Sequence, residues 1–283
     1  MCIRDRIIPT RNGLAVLRPC LSSLLSLTRY PDFEVLVIDN GSDDQATLAY
    51  LSQLERKGRI RVLRDPSPFN YSALNNRAVE EVSGELICLL NNDIEVIDPE
   101  WLEELVVQAL RPGIGAVGAR LLYPNRTLQH AGVLLGVGGV ANHAHLGMQA
   151  DRPGYFFRAQ LVQEMSAVTG ACLLVRREYY QAVGGLDEIN LTVAFNDVDF
   201  CLKLRELGLC NLYTPFSVLI HHESVSRGRD EQPEQAARFA KEVAWMQERW
   251  ASVLKWDPAY NPNLSLASPD FRLTWPPRLQ RWE

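Results

Sequence analysis

No stretch of the sequence approaches the roughly 18 to 20 consecutive apolar residues that cross a bilayer, and the amino terminus has no apolar signal-peptide core. The expectation is a cytoplasmic chain, neither exported nor integral to a membrane, with peripheral contact at the inner face of the cell membrane left open. Positive charge is also scarce. The 29 Lys and Arg are outnumbered by 34 Asp and Glu, for a net charge of -5 and a pI near 5.6. An extended nucleic-acid footprint is thereby excluded, whereas a small phosphorylated ligand is not. The six cysteines, Cys2, Cys20, Cys88, Cys172, Cys201 and Cys210, include no CxxC pair, and several sit in apolar runs where buried free thiols are common. A reducing compartment fits that pattern. There is no internal repeat and no low-complexity tract.

What is present is ordinary globular composition, 47% hydrophobic and 22% charged over 283 residues, enough for one large α/β domain or two small ones. The opening "MCIRDR" is unusual, because the first apolar strand then has only Ile7 and Ile8 before Pro9. It reads as a truncated or artificial start and leaves room for a larger multidomain chain.

Up to about residue 122, short β-rich runs alternate with longer helical patterns, the signature of βαβ units around a mostly parallel sheet. "RIIPT", "FEVLVID", "RIRVLR" and "ELICLL" are the predicted strands. Leu17, Leu21, Leu24 and Leu25 recur at helical spacing, a polar helix runs to about Lys57, and Ser72 is the expected cap of a helix reaching Val82. In "IDPEWLEELVVQAL", Asp98 is the expected N-cap, Pro99 the first helical residue, and Gly113 lies past the end. From 115 to about 165 short strands and glycine-rich turns suggest a loop-rich insertion. Then follow a strand in "SAVTGACLLVRR", a short helix closed by glycine in "REYYQAVGGL", a helix in "VDFCLKLRELG", separate strands in "NLYTP" and "SVLIHH", and a charged helix from about Pro233 to Trp250. The proline-rich remainder from Asp257 reads as irregular coil.

In a parallel α/β sheet, ligands gather beyond the carboxyl ends of the strands. Polar clusters fall there three times: "PTRN" at 9–12, "DNGSDD" at 39–44 and "NND" at 91–93. Any one of them is explained as a turn or cap; three on one sheet edge are harder to dismiss. A fourth cluster, "FNDVDF", puts Asp197 and Asp199 at a helix start, where capping accounts comfortably for one carboxylate and is a sufficient role for Asp199. A fifth, "IHHESVSRG", ends an apolar strand with His221, His222, Glu223 and Arg227.

In order, IIPTRNG, VIDNGSDD, LNNDIEV, TGACLLVRR, GGLDE, FNDVDFCLKLRELG and HHESVSRG resemble the family 2 glycosyltransferases of GT-A fold, closest to the branch making bacterial O-antigen and similar surface polysaccharides, rhamnosyltransferase-like members included. The resemblance runs from Ile7 to about Gly228, and the closing "NPNLSL" to "WPPR" suits the same branch. It implies one GT-A domain over 1–256, with a nucleotide-sugar half at 7–122, an acceptor-binding and catalytic half at 123–232, a C-terminal helix at 233–256 and an irregular tail at 257–283.

By matching position, the resemblance puts Asp93 of "NND" on a divalent cation, Mn2+ or Mg2+, with Asn91 in place of the first acid of the family's DxD motif. Asp39 stands for the acid that contacts the base or ribose. Pro9, Thr10, Asn12, Asn76 and Asn92 stand near the nucleotide, Asp197 for the catalytic base, and His221 for a contact to metal or diphosphate. His222 takes that place if the register is off by one. Asn196 replaces the Glu that normally precedes the base. Gly170, Asp187 and Arg227 are assigned to the acceptor or diphosphate, against the simpler reading that the glycines of "TGAC" and "GGLDE" only make turns and helix ends.

The implied donor is a UDP- or dTDP-sugar, the acceptor a glycan or lipid-linked glycan, and the reaction an inverting transfer. Rival readings are a sugar nucleotidyltransferase, which lacks its "GxGTR" loop here, and a non-catalytic carbohydrate-binding relative, which Asn91 and Asn196 would suit. Zinc hydrolysis fails because "HHE" lacks the spacing of HExxH. "GVGGVANHAH" does not follow a first strand, so it fails as a dinucleotide fingerprint; its His143 and His145 contact either the acceptor or nothing.

Overall fold

The computed structural model describes residues 4–223 and 233–278. Its first half alternates strand and helix: β1 (Arg4–Thr10), α1 (Leu14–Leu27), β2 (Phe33–Asp39), α2 (Gln45–Arg56), β3 (Arg61–Arg64), α3 (Tyr71–Glu80) and β4 (Leu86–Leu90). Then come β5 (Ile94–Val96), α4 (Trp101–Ala109) and the long β6 (Ile114–Leu122). Short strands β7 (Leu128–His130), β8 (Val133–Leu135), β9 (Ala141–His143) and β10 (Gln163–Met165) lead to β11 (Cys172–Arg176), α5 (Arg177–Ala182), α6 (Asn196–Glu206), β12 (Cys210–His221), α7 (Pro233–Arg249) and α8 (Ala251–Lys255).

The main sheet has the order β10-β12-β6-β11-β4-β1-β2-β3, with β5 beside β12 and β7 beside β6. β3, β2, β1 and β4 are mutually parallel, β11 is antiparallel to both β4 and β6, and β12 is parallel to β6. All the long strands except β11 therefore point the same way. Their carboxyl ends, at Thr10, Asp39, Leu90, Leu122 and His221, share one edge with the amino end of the inverted β11.

Side chains alternate across this sheet. On one face Leu86, Cys88 and Leu90 of β4 pack with Leu17, Leu21, Leu24, Trp101 and Leu105 of α1 and α4. On the other Ile87 and Leu89 pack with Leu74, Phe200, Leu204, Met246 and Trp250. Each such fully buried side chain contributes on the order of 2 kcal/mol. A third cluster joins Leu122, Leu128, Leu134 and Tyr213 to Tyr260, Leu264 and Phe271, so the coil after Asp257 packs over the second half. Asp257 fixes it, accepting from Leu135 N at 2.8 Å and pairing with Ser166.

Several elements depart from the expectation. β1 starts at Arg4 because ladder pairing needs only backbone: Asp5 is buried accepting from Gly84 N at 2.7 Å, and Arg6 donates to Glu34 O while its guanidinium lies 4.1 Å from the Phe33 ring centre. The cap of α3 is Asn70, accepting from Ala73 N, while Ser72 is buried and donates to Leu191 O at 2.5 Å. Asp98 bonds Glu100 N in a turn, so α4 begins at Trp101 rather than Pro99. The region after 114 opens with nine residues of strand, and "NLYTP" and "SVLIHH" form one strand, irregular between Tyr213 and Val218 where Pro215 has no N–H to give. In "SAVTGACLLVRR" only 172–176 is strand. Among the described cysteines, Cys20, Cys88, Cys172 and Cys201 are buried free thiols and Cys210 is half-buried; Cys2 lies outside the described residues.

Candidate active site

A cavity of about 680 Å³ opens at the shared strand edge, and its wall is built from successive strand ends. β1 supplies Pro9, Thr10 and the following Arg11, the turn after β2 supplies Asn40, and the turn after β4 supplies Asn91, Asn92 and Asp93. The inverted β11 adds Thr169, Gly170 and Ala171 just ahead of it, β12 adds His221 and the following Glu223, and the start of α6 adds Phe195, Asn196 and Asp197. Parallel topology is what brings these distant segments together.

At the centre His221 Nε2 lies 3.1 Å from Asp93 Oδ1, both side chains being 6% exposed. β5 holds them there: Ile94 pairs with His221 across the ladder, and His222 N donates to Asp93 O at 2.9 Å. Asn91, the residue in place of an acid, approaches His221 Nε2 at 3.5 Å through Nδ2 and accepts from the Tyr71 hydroxyl at 3.3 Å through Oδ1. Tyr71 also contacts Gly170 O at 3.2 Å, and Gly170 N donates to Asp197 Oδ2 at 2.8 Å. A run of close polar contacts thus links His221 through Asn91, Tyr71 and Gly170 to Asp197.

Asp197 is half-buried, and its other oxygen accepts from Val198 N at 2.8 Å. Two backbone N–H groups fix the carboxylate while lone pairs on each oxygen remain for a ligand. The loop before it is clamped from behind by Glu242 of α7, 1% exposed, which accepts from Thr192 Oγ1, Val193 N and Ala194 N. Asp199 does something else. It is fully buried, accepts from Trp250 Nε1 at 2.9 Å and pairs with Lys203 and Arg249, so it ties α6 to α7 rather than facing the cavity or capping the helix.

Other predicted site residues lie off the cavity wall. Asp39 is 1% exposed, accepts from Ser42 N and is ion-paired with Arg64 at 2.9 Å. Asn12 ties the first loop to the second, bonding Ser42, Asp43 and Asp44; Asn92, on the wall, donates to Thr10 Oγ1 at 2.9 Å. Asn76 stitches α3 to the turn after α5, bonding Leu186 N and O, Tyr180 and Glu188, and Gly185, with φ +69°, is glycine because a Cβ there would sit 2.4 Å from Asn76 Oδ1. Asp187 caps its own turn by accepting from Ile189 N and Asn190 N. His222 turns away to Glu95 at 2.8 Å. Arg227 lies outside the described residues.

Tyr71, Gln129, Glu242 and the fully buried His130 are among the wall or support residues that the sequence reading does not single out. Ala119 O sits 2.8 Å from His130 Nδ1 and Thr169 N is 3.2 Å from Nε2, so Nδ1 carries the proton and Nε2 accepts. Burial pushes this imidazole down to about 3, the neutral form throughout the physiological range. His130 sits edge-on to His143 at 5.2 Å, and Gly118 leaves room for it, since a Cβ there would be 3.2 Å from His130 Cε1 and 2.5 Å from Val168. His143 lines the cavity; His145 does not, stacking on Phe271 at 4.3 Å.

Asp93 and His221 are the residues that could hold a cation. Among the described residues no group of three or more His, Cys, Asp or Glu could do so. One carboxylate and one imidazole at 3.1 Å still fit a hard divalent ion, which commonly takes few protein ligands and fills its remaining positions with phosphate oxygens and water. Among the described residues no helix is long and apolar enough to cross a membrane.

Residues 6–184 match the description "Glycosyl transferase family 2". Over 277 residues the chain is 53% identical to the uncharacterized protein y4gI of Sinorhizobium fredii, and over 265 residues 42% identical to the O-antigen biosynthesis protein RfbC of Myxococcus xanthus. These alignments take in 98% and 93% of the chain but only 30% and 20% of the relatives, so the chain spans less than a third of either. An N-acetylglucosaminyl-diphospho-decaprenol L-rhamnosyltransferase of Mycobacterium tuberculosis is 27% identical, with 83% of the chain matched to 82% of that protein. The fold is shared with two solved glycosyltransferases: a mannosyltransferase of Pyrobaculum calidifontis in complex with GDP-Man and Mn2+ (TM-score 0.61, 17% identity, 86% of this chain and 64% of that one), and GalNAc-T7 with UDP, GalNAc and Mn2+ (TM-score 0.68, 14% identity, 94% and 60%).

Proposed function

The chain belongs to glycosyl transferase family 2, and on that premise we propose that it moves a sugar from a UDP- or dTDP-sugar to a glycan or lipid-linked glycan in cell-surface polysaccharide synthesis, inverting the anomeric centre. The observation carrying this reading is the approach of His221 Nε2 to Asp93 Oδ1 on a wall that also bears Asp197. The 7–122 half would carry the nucleotide and the 123–232 half the acceptor. Relatives named for O-antigen biosynthesis and rhamnosyl transfer favour the polysaccharide context.

A sugar hydroxyl is a weak nucleophile at neutral pH. Asp197, fixed by Gly170 N and Val198 N, accepts its proton as the new C1–O bond forms, a role worth roughly 10²- to 10⁴-fold in rate. The bond from C1 to phosphate oxygen breaks in the same displacement, and the nucleoside diphosphate leaves with the electron pair. Attack from the face opposite the leaving group inverts C1. A Mn2+ or Mg2+ ion bound at Asp93 and His221 would supply charge neutralisation at the diphosphate. Pro9, Thr10, Arg11, Asn40 and Asn92 line the end of the cavity where the first strands finish, which suits the nucleotide. Asp39, already paired with Arg64, serves by holding that loop.

A thermal-shift panel of nucleotide sugars with and without Mn2+ or Mg2+ tests the reading. A metal-dependent shift for one donor supports it. Turnover of a sugar phosphate with a nucleoside triphosphate would mark a nucleotidyltransferase instead, and donor binding without any turnover a carbohydrate-binding relative, the alternative that Asn91 favours.

A further inference from the structure

The cavity wall is chemically divided. Arg11, the only Lys or Arg on the described wall, stands with Pro9 and Thr10, and the Asp93–His221 pair marks the middle. Beyond them lie Gln129 from β7, His143 from β9 and Glu223 after β12, three side chains that neither the metal pair nor the proton transfer employs. All three line the one cavity. Gln129, 3% exposed, directs Nε2 to Glu223 Oε2 at 3.4 Å. His143 lines the same cavity as Glu223, Asp197 and His221, its ring 5.2 Å from that of His130.

Two atoms of this group have no hydrogen-bond partner among the described residues, Gln129 Oε1 and His143 Nδ1. Leaving such groups buried and unpaired is costly, so a ligand that satisfies them gains affinity. A carboxylate repels phosphate but accepts readily from hydroxyls, and a carboxamide and an imidazole beside it can each donate and accept. Burial pushes the His143 imidazole down, toward the neutral form that keeps one ring nitrogen as acceptor. The His130 ring behind it, edge-on at 5.2 Å, sets its orientation.

We propose that Gln129, His143 and Glu223 form the subsite that reads the hydroxyl pattern of a sugar ring and so sets which sugar this enzyme handles. The inference rests on the transferase reading above. The shared chemistry is a pattern of neighbouring ring hydroxyls, on either the donor sugar or the acceptor.

The experiment uses the full chain with Mn2+ and compares wild type with Glu223→Gln and His143→Ala. Calorimetric titration measures affinity for UDP and dTDP, for UDP-glucose and dTDP-rhamnose, and, with the nucleoside diphosphate bound, for a panel of p-nitrophenyl glycosides. Both variants should bind the nucleoside diphosphate within about twofold of wild type, which also shows that they fold. If the subsite takes the donor sugar, the preferred nucleotide sugar loses on the order of tenfold in affinity relative to its nucleoside diphosphate; if it takes the acceptor, glycoside binding falls by that amount instead. Variants matching wild type on every probe overturn the inference while leaving the transferase reading standing. A wild type that binds neither UDP nor dTDP overturns the reading and the inference with it.

Discussion

His221 Nε2 and Asp93 Oδ1 lie 3.1 Å apart although one ends the last strand and the other follows β4. The short β5 makes that approach possible, because it begins immediately after Asp93 and pairs with the final residues of β12. Two ligands of different chemistry are thereby held on a rigid sheet edge rather than on mobile loops.

Asp93→Asn keeps the volume but removes the charge. In wild type, nucleotide plus Mn2+ at about 100 times the Kd should raise stability by about 2.7 kcal/mol. The variant should lose the metal-dependent part of that gain, and His221→Ala should behave alike; differential scanning fluorimetry with and without chelator checks both.

Tyr71→Phe deletes the hydroxyl that contacts Gly170 O and Asn91 Oδ1. With neutral hydrogen bonds worth about 1 kcal/mol each, kcat should fall about tenfold through misplacement of the Gly170 peptide under Asp197. Nucleotide affinity should stay within about twofold, so the split between kcat and KM separates this effect from general damage.

Asp199→Ala removes the buried acceptor of Trp250 Nε1 and the partner of Lys203 and Arg249. Breaking such a network should cost about 3 kcal/mol in urea denaturation. Trp250→Phe, which drops one hydrogen bond and some packing, should cost less.

Acid should destabilise the protein partly through His130. Its pKa is pushed by burial down to about 3, below the ordinary 6.5, so the unfolded chain takes up a proton that the folded chain refuses. The stability this contributes is complete above about pH 6.5 and is lost as pH falls toward 3, amounting to about 2 kcal/mol by pH 5. His130→Gln should flatten the slope of unfolding free energy between pH 7 and 5, whatever it does to the value at pH 7.

Much of this was legible because it was local or repetitive. The period of Leu17, Leu21 and Leu24 declares a helix, the all-apolar "LICLL" declares a central strand, and ordered polar clusters at strand ends declare a ligand edge. The Asp93, His221 and Asp197 cluster was reached through motif order, and parallel topology then put all three on one wall. Asn76, Asp187 and Asp39 were assigned by position alone, and each has its polar atoms engaged by Tyr180, Asn190 or Arg64, partners that single-sequence spacing could not reveal. Glu242 and His130 were invisible for the opposite reason. A helix acid and a strand histidine look unremarkable until the chain closes around them and each is found bonding backbone beneath the site.

The most direct test incubates the protein with a panel of nucleotide sugars and a glycan acceptor extract, with Mn2+ present or chelated, and reads nucleoside diphosphate release for wild type and Asp197→Asn. The account predicts metal-dependent release by wild type from one donor, and at least about a hundredfold less by the variant, which still binds that donor. Undiminished release by Asp197→Asn, or release indifferent to the metal, would contradict it.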